Sequence, residues 1–353
     1  MGAPEEFESA LMRHFKERRF NEFLRTIART PHYLPERHTK GRAVIFHGYS
    51  GHSEQPPIQH LVQVLKRKEH FSISTCDFPH HGLSNHPDKE ANLGKIVSFR
   101  QWVFTVYVMT YKTLMLRSKE PLGVFLIGYS AGALAILRFL QLYPEAQKYL
   151  AGVILVSVPL EVDQNASALV QKYKRFLEPV FNMVAWLLPN LPVGKLPEGD
   201  KEDNLEYHGK VKAGPAKEIR NAVRDARSAM KDITVPILFI HGDMDDIALS
   251  GPVEVAYRSA GTPDDRKQFI VYKGVPHKIL HHAVKDIQEW ITERNKAKDW
   301  VPVQRKEGML NDAVKLSSIW FFAITETLHL IVNMLLRWVR NLALFFRKLL
   351  RRD

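Results

Sequence analysis

The strongest chemical signal in the sequence is Gly128–Gly132, where a serine lies between two glycines in the pattern Gly-x-Ser-x-Gly. Before it, the β-branched and aromatic run Val124–Ile127 predicts a buried strand. After it, Ala131–Leu142 predicts a helix that Pro144 ends. A strand that turns directly into a helix must hold Ser130 in a strained conformation, with its hydroxyl at a helix N-terminus. This context predicts a nucleophile elbow, and the alternative is a structural turn.

A serine hydroxyl is a weak nucleophile until a base accepts its proton and a third group orients that base. His277 is the candidate base, because it follows the last predicted strand, where the chain can return to the elbow. His281 and His282 are the alternatives, although they fall within the following predicted helix. The backbone N–H of Ala131, directly after the serine, is a candidate donor to the negative charge that develops on a substrate oxygen.

Alternating strand and helix patterns surround these residues, from residue 42 to 158 and from residue 235 to 295. Strands are predicted at Ala43–Phe46, Phe71–Cys76, Val124–Ile127, Gly152–Val158, Val235–Ile240 and Phe269–Tyr272. Helices are predicted at Ile58–Lys68, Phe99–Leu116, Ala131–Leu142 and Ile279–Asn295. This alternation predicts a mostly parallel sheet with right-handed crossovers and helices on both faces. In such sheets, functional groups gather beyond the carboxyl ends of the strands.

The alternation stops between residues 159 and 234, where we predict no strand. We interpret this stretch as a helical cap inserted over the sheet. Apolar residues above a serine site suit an acyl chain, although each of them could equally pack on the body of the protein. The apolar residues of the cap are Phe176, Leu177, Val180, Phe181, Met183, Val184, Trp186, Leu187 and Leu188.

Five motifs, in this order, resemble the monoacylglycerol lipase branch of the serine α/β-hydrolases over roughly residues 42 to 295. They are HGYSGHS at 47–53, DFPHHGLS at 77–84, GYSAG at 128–132, VPILFIHGDMDD at 235–246 and YKGVPH at 272–277. The chain departs from the family pattern at Tyr49 and Ser50, which precede Gly51, and at His80, where glycine is usual. We find no equivalent of the family's β-hairpin before the first motif, so we expect a shorter sheet at that edge.

The resemblance implies an α/β-hydrolase fold with the order serine, acid, histidine along the chain. Its Gly-x-x-Asp spacing selects Asp245 as the acid. Asp246 is the alternative, and Asp243 is expected to cap the loop. The resemblance also implies that the Tyr49 N–H is the second oxyanion donor, and it implies no cofactor. The histidine pairs at 80–81 and 281–282 lack the spacing of metal ligands, so we expect no metal.

The overall composition favours an intracellular globular protein. Its 353 residues suit one large α/β domain with appendages, or at most two domains. The net charge of +12 points to an anionic surface, or serves solubility alone, and we expect no nucleic-acid partner. Cys76 is the only cysteine, which excludes an internal disulfide and favours a reducing compartment. The acidic N-terminal residues argue against a secretory signal, and Glu6 breaks the myristoylation pattern.

Two terminal segments fall outside the hydrolase pattern. Residues 1–41 hold a predicted basic amphipathic helix, over residues 5–29, and a loop. A linker at 296–311 leads to a hydrophobic and basic tail at 312–353. Leu316–Val339 is long enough to span a membrane, yet polar residues recur along it at helical spacing and would face lipid in a single span. A helix lying in the interface therefore fits better, with a span or docking on a protein surface as alternatives.

We therefore expect a serine ester hydrolase that cleaves single-acyl lipids through an acyl-enzyme intermediate. Monoacylglycerol is the first candidate substrate and lysophospholipid the second. The enzyme would lie on the cytoplasmic face of a membrane, attached by its tail. Two other functions stay open: acyl transfer by the same residues to an alcohol, and a non-catalytic lipid-binding or scaffold protein on a hydrolase fold. The intact serine, acid and histidine set argues against the last.

Overall fold

The computed structural model of the chain describes residues 32–35, 38–84, 93–114, 116, 118–161, 168–196 and 201–301, without the side chains of residues 32 and 168–177. These residues belong to the first of two compact units, Met1–Val303. The second unit, Gln304–Asp353, lies outside the described residues. The predicted N-terminal helix, the end of the predicted linker and the predicted tail also lie outside them. The proposed domain boundaries stay predictions.

A seven-stranded sheet forms the centre of the described residues, and a two-stranded ribbon lies apart from it. The strands are β1 (His32–Tyr33), β2 (Gly41–Phe46), β3 (Phe71–Cys76), β4 (Val124–Tyr129), β5 (Gly152–Val156), β6 (Pro192–Gly194), β7 (Val211–Lys212), β8 (Ile237–Gly242) and β9 (Lys267–Tyr272). The order in the large sheet is β1-β3-β2-β4-β5-β8-β9. All neighbours are parallel except β1, which pairs antiparallel with β3.

The six parallel strands are those that the sequence predicted, with changes at their ends. β5 ends at Val156 rather than Val158, because Ser157 leaves the extended conformation with a φ of 49°. β8 begins at Ile237 rather than Val235, since Pro236 has no N–H to donate to the neighbouring strand. At the edge beyond β3, the described residues contribute only the two residues of β1.

Helices cover both faces of this sheet. They are α1 (Pro56–Arg67), α2 (Phe99–Leu114), α3 (Ala131–Leu142), α4 (Ala168–Leu187), α5 (Ala213–Ser228), α6 (Ser250–Ser259) and α7 (Leu280–Ala297). On one face, Leu61 of α1 and Ile287 of α7 pack with Ile45, Phe125 and Ile154 of the strands in one buried cluster. Helices α2 and α3 pack together on the other face. Within the described residues, no helix is both long and apolar enough to cross a membrane.

The cap contains α4 and α5 and also the β6–β7 ribbon, in which Pro192 pairs with Lys212 and Gly194 with Val211. Our prediction that this stretch lacks strands was therefore wrong. The ribbon strands have three and two residues, which is too short for an alternating pattern to be recognised. Proline and glycine are also depleted in strands, so the composition of β6 gave no signal.

Much of the apolar surface at the end of α4 faces outward. Ala185 is buried, but seven large apolar residues of α4 and of the following turn and ribbon are between 41% and 56% exposed. We call these residues the cap apolar surface; they are Val180, Met183, Trp186, Leu187, Leu188, Leu191 and Val193. Seven large apolar side chains exposed within residues 180–193 are more typical of an interaction site than of a face that packs on the body.

Candidate active site

Four loops at the carboxyl ends of parallel strands carry the residues singled out by the sequence. His47 follows β2, Ser130 follows β4, Asp245 follows β8 and His277 follows β9. Because these strands run parallel in adjacent or near-adjacent positions of one sheet, their carboxyl ends lie at the same edge. The topology therefore brings together residues that are far apart in the chain.

Ser130 occupies a strained turn between β4 and α3, with φ 52° and ψ −121°. Backbone in such a sparsely populated region costs on the order of 1–3 kcal/mol and persists only where the surroundings hold it. A Cβ at Gly128 would lie 2.5 Å from Ala133 Cα, and one at Gly132 would lie less than 3 Å from the Phe46 carbonyl oxygen. Only glycine fits at either position, which explains the spacing of the motif.

His277 lies between Ser130 and Asp245. The Ser130 hydroxyl donates to His277 Nε2 at 3.0 Å, and His277 Nδ1 donates to Asp245 Oδ2 at 2.7 Å. The His277 carbonyl accepts hydrogen bonds from the Tyr129 hydroxyl and the Ser157 hydroxyl, both at 3.2 Å. The loop that carries the imidazole is thus fixed to the ends of β4 and β5, and the ring can accept a proton from the serine oxygen.

The Asp245 carboxylate is buried and hydrogen-bonded on both oxygens. Oδ1 accepts from the N–H groups of Ile247 at 3.0 Å and Ala248 at 2.8 Å, while Oδ2 faces His277. Burial alone would raise the pKa of Asp245, but the hydrogen bonds from His241 and His277 hold it well below its usual range. Asp245 is therefore ionised at neutral pH and can orient the imidazole.

The alternative acids and bases lie elsewhere. Asp246 is exposed, and Asp243 is exposed and accepts the Gly274 N–H at 2.6 Å. His281 and His282 are exposed on α7, with their ring centroids 3.8 Å apart. The structure therefore brings Ser130 together with His277 and Asp245 rather than with these residues. No group of three or more potential metal ligands occurs in the described part of the chain.

His241 is a second imidazole at Asp245 that the sequence analysis missed. It is fully buried; its Nε2 donates to the Ala248 carbonyl at 2.6 Å and lies 3.2 Å from Asp245 Oδ2. The available signal was a His-Gly pair directly after the predicted strand Val235–Ile240, since His47 and Gly48 likewise follow the predicted strand Ala43–Phe46; in the structure β8 extends through Gly242. In both places a buried histidine fixes the first turn of a loop of the site.

The oxyanion loop, which we define as residues 47–53, passes directly against the elbow. A Cβ at Gly48 would lie 3.0 Å from Ser130 Cβ. His47 Nδ1 donates to the Gly48 carbonyl at 2.7 Å, while the Phe78 N–H donates to His47 Nε2 at 2.9 Å. Because the peptide unit is planar and trans, fixing the Gly48 carbonyl also fixes the Tyr49 N–H, which points the opposite way.

The second predicted donor, Ala131, is the first residue of α3. Its N–H belongs to the helix N-terminus, where the first N–H groups have no partner within the helix. Within the described residues, no backbone acceptor takes the N–H of either Ala131 or Tyr49. The two groups flank Ser130, one following it in sequence and one on the adjacent loop.

Two buried histidines beside the site make the fold sensitive to acid. Burial lowers the pKa of His47 to about 4, although Asp77 opposes this, and it lowers the pKa of His81 to about 3. Unfolded histidines titrate near 6.5. Between these values, the unfolded chain binds protons that the native protein does not. The stability contributed by each neutral imidazole is therefore complete above pH 6.5 and falls as the pH drops towards 4.

We expect the free energy of unfolding to fall by about 2 kcal/mol for each of these histidines between pH 7 and pH 5. Urea unfolding across this pH range measures the change. A His81→Phe variant should have a shallower dependence on pH, whereas His60→Ala, at an exposed position of α1, should keep the wild-type slope. An unfolding free energy that is equal at pH 7 and pH 5 would contradict the account of both histidines.

Comparison with known proteins identifies the family of the chain. The family described as Hydrolase_4 (Serine aminopeptidase, S33) matches residues 37–283, which is more than half of the chain. The chain belongs to this family. It is a serine ester hydrolase of the monoglyceride-lipase-like branch of the α/β-hydrolases, so the fold and the family that the motifs predicted are confirmed.

The individual relatives are distant. Monoglyceride lipase from Rattus norvegicus is 24% identical over 274 residues, which cover 72% of this chain and 83% of that protein. Monoglyceride lipase from Homo sapiens is 26% identical over 275 residues, with the same two coverages. The crystal structure of Paleococcus ferrophilus monoacylglycerol lipase superimposes with a TM-score of 0.59 at 17% identity, covering 75% of this chain and 98% of that one. At this identity, the likeness to the solved structure concerns the fold alone.

Proposed function

We propose that the protein hydrolyses the carboxylic ester of single-acyl lipids through an acyl-enzyme intermediate, with monoacylglycerol as the first substrate and lysophospholipid as the second. The Ser130 oxygen attacks the ester carbonyl carbon while His277 Nε2 takes the serine proton. His277 then gives this proton to the leaving alcohol oxygen, and a water molecule attacks the acyl-enzyme in the second half of the reaction. Asp245 orients His277 and stabilises its positive charge. The N–H groups of Tyr49 and Ala131 receive the oxyanion.

The observation that carries this proposal is the chain of hydrogen bonds from Ser130 through His277 to Asp245, at 3.0 Å and 2.7 Å. The lipid substrate is supported by two further observations. The cap apolar surface offers exposed apolar side chains of the kind that suit an acyl chain. The rat and human relatives carry the name monoglyceride lipase.

A panel of lipid esters tests the proposal. The purified full-length protein, in detergent micelles, is incubated with 1-oleoylglycerol, oleoyl lysophosphatidylcholine and trioleoylglycerol, and the products are separated by mass spectrometry. We expect free oleic acid from the two single-acyl lipids, fastest from 1-oleoylglycerol, and little from the triester. Release of fatty acid only from the triester, or of none from any lipid, would contradict the proposed substrate class.

We further propose that the protein is intracellular and that the tail at 312–353 holds it on the cytoplasmic face of a membrane, as an interfacial helix. The support is in the sequence: apolar residues from Leu316 to Val339 are interrupted by polar residues at helical spacing. Arginines and a lysine follow towards the end. An amphipathic helix with such a basic end binds anionic lipid through its apolar face and its charges together.

Deleting residues 312–353 should therefore release the protein from membranes into the soluble fraction. Hydrolysis of a short-chain soluble ester should survive, because the proposed catalytic residues all precede residue 278. Hydrolysis of 1-oleoylglycerol in vesicles should fall, since the enzyme is no longer concentrated at the surface. Fractionation and assays of both forms measure these effects. Full resistance of the full-length protein to alkaline carbonate would instead favour a spanning helix, and a full-length protein that never sediments with membranes would contradict both.

A further inference from the structure

A loop of the cap contacts the oxyanion loop through a buried polar pair. We define the cap loop as residues 201–208. His52 Nε2 donates to Asp203 Oδ2 at 2.6 Å, and the side chains are only 3% and 18% exposed. The Glu54 N–H donates to His52 Nδ1 at 3.2 Å, so the remaining ring proton lies on Nε2 and points at the carboxylate. The contact is therefore a directional hydrogen bond and not only a pair of nearby charges.

A second contact between the same two loops lies beside the proposed oxyanion donor. Ser50 follows Tyr49 directly and has a φ of 67°, in the left-handed region that a residue with a Cβ rarely adopts. The Ser50 carbonyl accepts the N–H of Tyr207 at 2.9 Å. A backbone group of the cap thus holds the strained residue next to Tyr49 in place.

The Tyr49 side chain also depends on the cap. Its ring contacts the Tyr207 ring edge-on, with 6.4 Å between the centroids, and its hydroxyl donates to the Gly94 carbonyl at 2.8 Å. Asp203 also holds the cap loop itself in place, because its Oδ1 accepts the Leu205 N–H at 2.9 Å. His208 Nε2 also donates to the Asp203 carbonyl, at 2.8 Å. Asp203 therefore binds His52 of the oxyanion loop and also orders the cap loop that carries Tyr207.

We propose that Asp203 is a positioning residue for the oxyanion hole, which acts through His52 to hold the loop that carries the Tyr49 N–H. The two ends of the oxyanion loop are fixed by the body of the protein, since His47 Nδ1 donates to the Gly48 carbonyl and Asp77 accepts the Ser53 N–H at 2.6 Å. The middle of the loop, at Ser50 and His52, is held by the cap. Removal of the Asp203 carboxylate releases this part of the loop and lets the Tyr49 N–H move away from the oxyanion. This inference rests on the proposed role of Tyr49.

The test compares Asp203→Ala with a matched control, Asp225→Ala. Asp225 is also a cap carboxylate, but it lies near Arg138 and Arg224 rather than the oxyanion loop. Each protein is assayed on a short-chain soluble ester, with active sites counted by exhaustive fluorophosphonate labelling. We expect Asp203→Ala to lose about tenfold or more in kcat with little change in KM. We also expect a trifluoromethyl ketone, which forms an oxyanion on the serine, to bind more weakly by a similar factor. Asp225→Ala should match the wild type.

A double-mutant cycle tests whether Asp203 affects kcat through His52. If Asp203 acts through His52, the double variant His52→Ala, Asp203→Ala should lose no more activity than His52→Ala alone. Should Asp203→Ala not fold, Asp203→Asn replaces it: the amide keeps an oxygen for the His52 N–H, so a smaller loss of kcat is expected. Wild-type kcat in a folded Asp203→Ala variant would overturn the proposal. So would a raised KM at constant kcat, or losses that add in the double variant.

Failure of the proposed function gives a different result. If Tyr49 is not the oxyanion donor, the loop can still move without a kinetic effect. Selective ¹⁵N-tyrosine labelling, with Tyr49→Phe to assign the resonance, follows the Tyr49 amide directly. A shift of this amide in Asp203→Ala together with wild-type kcat would refute the role of Tyr49 while supporting the link between the loops. An amide that does not shift would refute the link itself.

Discussion

Replacing Ser130 by alanine should abolish ester hydrolysis, with a fall in kcat on the order of a million-fold, and should abolish labelling by a fluorophosphonate. The hydroxyl is the only group lost. Within the described residues, this hydroxyl makes one hydrogen bond, to His277 Nε2. The strained backbone is held by a different bond, from the Ser130 N–H to the Val156 carbonyl at 2.8 Å. The fold and the thermal stability should therefore change little. Steady-state assays and gel-based labelling measure the loss.

Ser228→Ala is the matched control, because the Ser228 hydroxyl is exposed and, among the described residues, bonds only to the Asp225 carbonyl, at 2.8 Å. It should keep wild-type activity and labelling. Full labelling of a folded Ser130→Ala protein would show that the nucleophile is another residue, and the assignment of His277 and Asp245 would fail with it.

Asp245→Asn should lower kcat by about ten-thousandfold. The amide nitrogen can donate to His277 Nδ1, which favours the tautomer that carries its proton on Nε2 and cannot accept the serine proton. The amide also has no charge with which to stabilise the imidazolium. Asp246→Asn changes the neighbouring, exposed carboxylate and should have a much smaller effect. Circular dichroism and thermal melts of both variants separate this chemical effect from loss of fold.

The reverse ranking, in which Asp246→Asn is the inactive variant, would mean that the acid is assigned one residue too early in the loop. Equal and small effects of both substitutions would mean that His277 is oriented by another group. The environment of Asp245 argues against both outcomes, because two backbone N–H groups and two imidazoles surround its carboxylate.

The sequence could predict those parts of the fold whose structure is determined by residues close together in the chain. β2, β3, β4, β5 and β8 are buried along their whole length or nearly so. β2, β4, β5 and β8 contain continuous apolar runs, which indicate such strands, whereas apolar residues alternate with serine in the first half of β3. The elbow has its own local signature, because only glycine fits at Gly128 and Gly132. His277 could be chosen for its place after the last strand, and Asp245 through the spacing of the resembling family.

The parts that escaped prediction depend on contacts between distant residues. His52 and Asp203 are 151 positions apart, and nothing local to Asp203 indicates a buried partner. The role of His241 depends on the turn that places Asp245 beside it, although its position directly after the predicted strand Val235–Ile240 was a usable signal. The β6–β7 ribbon is held by pairing across the cap rather than by the propensity of Pro192 or Gly194.

The central claim is that a single-acyl lipid is cleaved through an ester of Ser130, and trapping this intermediate tests it most directly. The protein is mixed with excess 1-oleoylglycerol and quenched in acid within milliseconds, and its peptides are identified by mass spectrometry. The account predicts one oleoyl group on the peptide that contains Ser130, formed before steady-state release of oleic acid and absent from Ser130→Ala. Oleic acid released without any acylated peptide, or an oleoyl group on a different residue, would contradict it.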